Sequence, residues 1–248
     1  MMKIAILYLC TGEYAVFFNQ FYCSVMQNLF PNAEKRFFVL TDNVNAIPNL
    51  PNVETIFTEK KNRHETMLQK HQLFLSLKDK INHKFDYVFA PNANIHIKTL
   101  INENEVLPDK ELGQSLTCVL HLQFSNAFTD PKTLSSLVHN TERNPESKAC
   151  IKTFPYQYCW SSAFTGGVPH AYFELCETIS KWRESDTEKG IVPIWHDESY
   201  FNKYRLLHAD KFRVLPIDYG MPELEVAFPK AKRRILILQK EKYMRNIS

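Results

Sequence analysis

The sequence predicts an α/β protein built on a single mostly parallel sheet with helices packed on its faces. Over the first hundred residues, apolar runs of strand length alternate with stretches of helical period, the pattern of strands joined by crossover helices. No internal repeat and no Gly-, Ser- or Pro-rich linker divides the 248 residues, and that length suits one domain with a sizeable core. One domain over residues 1–248 is expected, with about 230–248 as a basic and mobile tail.

The elements follow in order. Lys3-Ile4-Ala5-Ile6-Leu7-Tyr8-Leu9 reads as a buried strand ended by Thr11-Gly12. Helical period runs from about Tyr14 to Phe30, and Arg36 to Leu40 is a second strand closed by Thr41-Asp42-Asn43. Val53 to Phe57 is a third strand. Leu68, Leu73, Leu77 and Ile81 sit at helical spacing within Glu65 to Ile81. A fourth strand, Phe85 to Ala90, stops at Pro91-Asn92-Ala93-Asn94. Strands at Ser115 to Leu120 and about Tyr158 to Phe164 flank a polar stretch. Gly166-Gly167-Val168-Pro169 then introduces a helix to about Arg183, and another opens near His196. In such sheets ligands bind beyond the carboxyl ends of the strands, so the loops at Cys10, Thr41 and Pro91 share one site.

Composition narrows the function. A net charge of +3 is too mild for nucleic acid as the main partner. The charge is uneven, however. Lys230, Lys232, Arg233, Arg234, Lys240, Lys242 and Arg245 crowd the end of the chain, suiting a phosphorylated ligand or an anionic membrane face. No apolar run has the length of a membrane span, and the N-terminus has no signal-peptide pattern. The six cysteines form no CxxC pair and lie mostly in apolar stretches, as reduced core thiols of a cytosolic protein.

Trp195-His196-Asp197-Glu198 sets three consecutive ionisable side chains at a helix start. They fit an exposed helix cap near the positive end of the dipole, or a cleft floor offering one imidazole and two carboxylates to a polyhydroxylated ligand. Asn92-Ala93-Asn94 fits an ordinary turn, or a loop that meets ribose or phosphate by hydrogen bonds. Amide oxygens alone hold hard cations poorly, so metal binding there should be weak. Gly166-Gly167 fits a plain turn or a close approach of ligand to backbone. His121 and Trp195 fit core or surface positions as well as ligand contacts.

Taken in order, several segments resemble glycosyltransferase family 6, the group of the histo-blood-group A and B transferases, and its short bacterial members most. They are Ile6-Leu7-Tyr8-Leu9-Cys10-Thr11-Gly12-Glu13-Tyr14, Phe38-Val39-Leu40-Thr41-Asp42, Phe85-Asp86-Tyr87-Val88-Phe89, Asn92-Ala93-Asn94, Thr141-Glu142-Arg143, Gly166-Gly167 and Trp195 to Tyr204. The resemblance covers about Lys3 to Tyr204. It implies a GT-A fold with a Rossmann-like mixed, mostly parallel sheet. It also implies retaining transfer of galactose or N-acetylgalactosamine (GalNAc) from UDP to the 3-hydroxyl of a β-galactoside, often fucosylated.

By position, the resemblance gives Thr11 and Tyr14 to the uridine site and Asn92 and Asn94 to the place of metal-binding aspartates, as in a metal-independent branch. His121 and Trp195 would contact the acceptor, and His196 and Asp197 the donor. Glu198 becomes the candidate nucleophile or transition-state stabiliser. Lys70 stands where the family usually carries Arg, keeping the charge without the bidentate fork. Arg63 replaces a Trp, and the usual His-Pro-Gly-Phe is His121-Leu122-Gln123-Phe124. The aromatic-rich loop after the catalytic helix is reduced to Pro216-Ile217-Asp218-Tyr219-Gly220. In the donor-selecting tripeptide Ser161-Ser162-Ala163, Ser161 leaves room for an acetamido group and Ala163 occurs with both donors, so the balance leans to GalNAc. Lys240, Lys242 and Arg245 are the candidates to close over the diphosphate.

The expectation is thus a cytosolic transferase acting on a surface glycan, with the inner membrane face, where lipid-linked acceptors lie, left open as its working place. No cofactor and no divalent metal are expected. A UDP-sugar or glycan-binding protein that has lost turnover remains the alternative. A metal-dependent hydrolase is disfavoured because no other His/Asp cluster completes a ligand set.

Overall fold

The computed structural model describes residues 1–121, 141–152, 160–223 and 232–244. Strand β1 (Lys3–Leu9) leads through a 3₁₀ turn at Gly12–Phe17 into helix α1 (Phe18–Asn28), followed by β2 (Glu34–Thr41) and β3 (Val53–Phe57). Helices α2 (Arg63–Leu75) and α3 (Lys78–Ile81) precede β4 (Tyr87–Pro91), β5 (Ile95–Ile97), α4 (Glu103–Val106) and β6 (Leu116–Leu120). Then come β7 (Trp160–Gly167), α5 (Pro169–Glu188), α6 (Asp197–Leu207), β8 (Phe212–Leu215), β9 (Met221–Pro222), β10 (Ile235–Ile237) and α7 (Lys240–Met244).

Seven strands form one sheet in the order β3-β2-β1-β4-β7-β6-β8. Only β7 runs against the others: β1 pairs parallel with β2 and β4, β2 with β3, and β6 with β8. The fold is the expected mixed, mostly parallel α/β sheet. Alternation along β1 divides the core. Ile4, Ile6 and Tyr8 pack with α1 on one face, while Ala5, Leu7 and Leu9 pack with α2, α5 and α6 on the other.

Several local expectations change. The single helix from Glu65 to Ile81 is two helices, broken where Leu77, after the α2 cap Ser76, donates to Phe74 instead of continuing the α2 ladder. Periodicity alone carries across such a break because the apolar face stays aligned. A short second sheet, β5-β10-β9, was not foreseen, and its strands of two or three residues are too brief for a periodic signal. Cys23 is exposed, whereas Cys10, Cys118, Cys150 and Cys176 are buried and free.

Gly166-Gly167 forms no turn. Both residues lie inside β7, opposite Phe89 and Val88. A Cβ on Gly166 would come within 2.3 Å of the Phe89 ring and 2.4 Å of the Val88 carbonyl. Because β7 is antiparallel, its beginning lies at the carboxyl edge of the sheet, and these glycines lie at the far end. Neither a plain turn nor a ligand approach describes them; close strand packing does. Among the described residues, no helix is long and apolar enough to cross a membrane.

Candidate active site

The carboxyl ends of β1, β2 and β4 come together as the alternation requires. Gly12, in the left-handed region at φ +59°, donates its N–H to Asp42 Oδ1 at 2.6 Å and ties the loops after β1 and β2. Tyr8 donates its buried hydroxyl to the Ala93 carbonyl at 2.8 Å, tying β1 to the loop after β4. Beside these ties opens a cavity of about 590 Å³. Six expected donor residues line it: Thr11, Tyr14, Lys70, Asn92, Asn94 and Lys240.

Lys70 organises its inner wall. Its ammonium, 3% exposed, donates to Asn92 Oδ1 at 3.1 Å and to the Ser162 carbonyl at 3.4 Å, and lies 3.5 Å from Asp197 Oδ2. One cation therefore joins α2, the tip of β4, the start of β7 and the start of α6. A buried pair of this kind specifies geometry more than it stabilises, since desolvation offsets much of the attraction.

Glu198 sits one residue further along α6. Its Oε2 accepts from the Ser162 N–H at 3.0 Å and from Ser162 Oγ at 3.3 Å. Burial raises its pKa and the neighbouring Asp197 adds to the rise, while His121, the Ser162 N–H and Lys70 oppose it. The carboxylate is thus poorly solvated but held by fixed donors. His121 belongs to this carboxylate's electrostatic surroundings.

The three consecutive ionisable residues do diverge. Asp197 turns inward to Lys70 and Glu198 to Ser162, while His196 turns to α2, its Nε2 2.9 Å from His64 Nδ1. Burial and then the adjacent His64 lower the His196 pKa. His196 holds φ +51°, a conformation costing about 1–3 kcal/mol for a residue with a side chain. That turn lets neighbouring side chains leave in separate directions.

Other expected residues fall outside the cavity lining. Trp195 is 49% exposed. Ala163 belongs to the core, its carbonyl accepting from the Asn92 N–H, and the buried Ser161 accepts the Ala163 N–H on its own Oγ. Lys242 points to Glu223 instead of the cavity. Arg245 and Leu122-Gln123-Phe124 lie outside the described residues. Sequence reasoning missed Ser162, the middle residue of its own tripeptide, and His64. It also missed Lys60 and Lys61, which line the cavity although a basic run before an Asn-capped helix is visible in the chain.

Asn92 and Asn94 match a divalent cation poorly. Asn92 Oδ1 already accepts from the Lys70 ammonium, and the Asn94 amide donates to the Leu238 carbonyl at 2.8 Å. Among the described residues, no three His, Cys, Asp or Glu side chains gather as a metal site. Hard cations select carboxylates over such amides.

The cavity at the carboxyl edge is lined by Asn92, Asn94 and Lys70, and Lys70 links it to the buried Asp197 beside Glu198. The model for glycosyltransferase family 6 matches residues 2–247. The chain belongs to glycosyltransferase family 6. It is 28% identical to the O-antigen biosynthesis glycosyltransferase WbnI of Escherichia coli over 223 residues, covering 90% of this chain and 89% of that protein. It is 22% and 21% identical to Histo-blood group ABO system transferases 2 and 1 of Rattus norvegicus over 230 residues. Those alignments cover 90% of this chain but 64% and 62% of the rat proteins. Membership in family 6 implies a nucleotide-sugar donor and a glycan acceptor.

Proposed function

We propose that this chain is a retaining α-1,3-glycosyltransferase that moves GalNAc or galactose from UDP to the 3-hydroxyl of a β-galactoside, without a divalent cation. The Escherichia coli relative's name supports a role in assembling a surface glycan such as O-antigen. The reaction would then occur at the cytosolic membrane face, where lipid-linked acceptors lie.

The observation that carries the reading is the Glu198 carboxylate, held by Ser162 beside the Lys70–Asp197 pair. Retention requires a carboxylate near the anomeric carbon, on the face away from the departing phosphate. From there it can form a glycosyl intermediate or stabilise oxocarbenium charge while the acceptor enters from the leaving-group side. Poor solvation of Glu198 keeps it basic and reactive. Lys70 holds Asn92 and Asp197 in register around the donor sugar. Countercharge for departing UDP comes from fixed ammonium groups, Lys240 among them, in place of a metal ion.

The test is UDP release from UDP-GalNAc and UDP-galactose with β-galactoside acceptors in EDTA. Turnover in chelator is expected, with GalNAc preferred. Retained UDP binding without turnover would make the chain a binding protein instead. A requirement for manganese would overturn the metal-free reading.

A further inference from the structure

Lys60, Lys61 and Arg63 run into the start of α2 and line the 590 Å³ cavity, while Lys240 lines it from α7. With Lys70, five cations face two carboxylates, Glu13 and Glu241, in the described lining. Lys70 is paired with Asp197. Among the described residues, Lys60, Lys61, Arg63 and Lys240 have no carboxylate at ion-pair distance, whereas Lys242, outside the cavity, has Glu223. Like charges converging in a concave site repel one another, and an anionic ligand relieves that repulsion.

The basic run is also ordered. Asn62 Oδ1 accepts the Glu65 N–H at 3.0 Å and caps α2, so the segment enters the helix at a defined angle. Lys60 lies across Gly12, its Cε 3.6 Å from where a side chain on that glycine would begin. Lys61 lines the main cavity and an adjoining one of about 210 Å³ that shares Thr11 and Thr66 with it. Its side chain therefore stands where the two spaces meet. Across the cavity, the Lys240 ammonium lies 5.4 Å from the centre of the Tyr14 ring.

We infer that Lys60 and Lys61 grip the diphosphate of the nucleotide sugar from the α2 side, opposite Lys240, an assignment that rests on the donor reading above. Ammonium groups on flexible stems suit a diphosphate, whose oxygens shift as the glycosyl bond breaks. The C-terminal segment is then one half of the clamp, and the basic run before α2 is the other. Nothing in this half requires a metal.

Calorimetric titration of the whole chain with UDP, UMP and uridine, at low and high salt, tests the assignment. The Lys60→Ala/Lys61→Ala double variant should bind UDP about tenfold more weakly or worse, UMP less so, and uridine within about twofold of wild type. Its UDP affinity should also depend less on salt. Lys60→Arg/Lys61→Arg should restore UDP binding. Unchanged UDP affinity in the alanine variant would overturn the inference and leave the donor reading intact. Equal losses for all three ligands would also overturn it, marking damage to the cavity rather than loss of phosphate contacts. A wild-type chain that binds no UDP would overturn both.

Discussion

Glu198 differs from an ordinary helix-cap carboxylate in its solvation. Burial raises its pKa above the ordinary 4.5, and Ser162 supplies the hydrogen bonds that water would otherwise make. A carboxyl group whose folded-state pKa is raised binds its proton more tightly when folded. Its ionisation therefore weakens the fold at pH above the raised value, and the penalty vanishes below 4.5. Glu198→Gln should lower turnover by at least about a hundredfold. At neutral pH it should melt no lower than wild type, and any gain should shrink toward pH 4. The wild-type rate should fall on the acid side at a pH above the ordinary carboxylate range. A pH–rate profile and thermal melts of both proteins check this. An acid limb near 4 together with a less stable variant would contradict the account.

At the scale of elements, α6 carries Asp197 and Glu198, and Asp186 near the end of α5 anchors it. This carboxylate is fully buried and accepts from Ser147 Oγ at 2.7 Å, the Lys148 N–H at 2.8 Å and the Tyr200 hydroxyl at 3.0 Å. It thereby ties α5 to the 141–152 segment and to α6. Glu142 from that segment accepts the Ile194 N–H at 2.9 Å and holds the loop entering α6. Asp186→Ala leaves buried donors without an acceptor and should cost about 3 kcal/mol or more of stability. Chemical denaturation measures the loss, and a cost below about 1 kcal/mol would mean that water replaces the carboxylate. Asp186 was invisible in the sequence, where it is one acid in a charged helix end. Only the return of residues 141–152 to that helix makes it an anchor.

Across the whole molecule, the C-terminal segment closes the cavity by returning to the start of the chain. β10 pairs with β5 and β9, and Leu238 donates its N–H to the Asn94 carbonyl while its own carbonyl accepts the Asn94 side-chain amide. Beyond it, Tyr243 meets Phe17 with ring centres 5.6 Å apart, and Lys240 reaches Tyr14. β10 and Leu238 are therefore tied into the fold, whereas α7 lines the cavity beside Tyr14 through Lys240, Glu241 and Met244. Ending the chain after Leu238 should keep the melting temperature within a few degrees and abolish transfer. Undiminished transfer by the truncated chain would remove this role. A large drop in melting temperature would instead make α7 part of the core.

The amino-acid sequence by itself determined the sheet class, because strand-length apolar runs and helical periods are local signals. It also determined the carboxyl-edge site, since parallel strands bring their ends together, and it singled out Glu198, Asp197 and Asn92. Tertiary structure alone decided their partners. Lys70, Asn92, Ser162 and Asp197 lie far apart in the chain, and only the antiparallel insertion of β7 brings Ser162 to the same edge. That same reversal carries Gly166 and Gly167 away from the site. The basic tail divides for a similar reason: Lys242 meets Glu223, while Lys240 lies by the Tyr14 ring in the cavity lining. Which charges stay unpaired depends on contacts between distant segments, and these have no signature in local spacing.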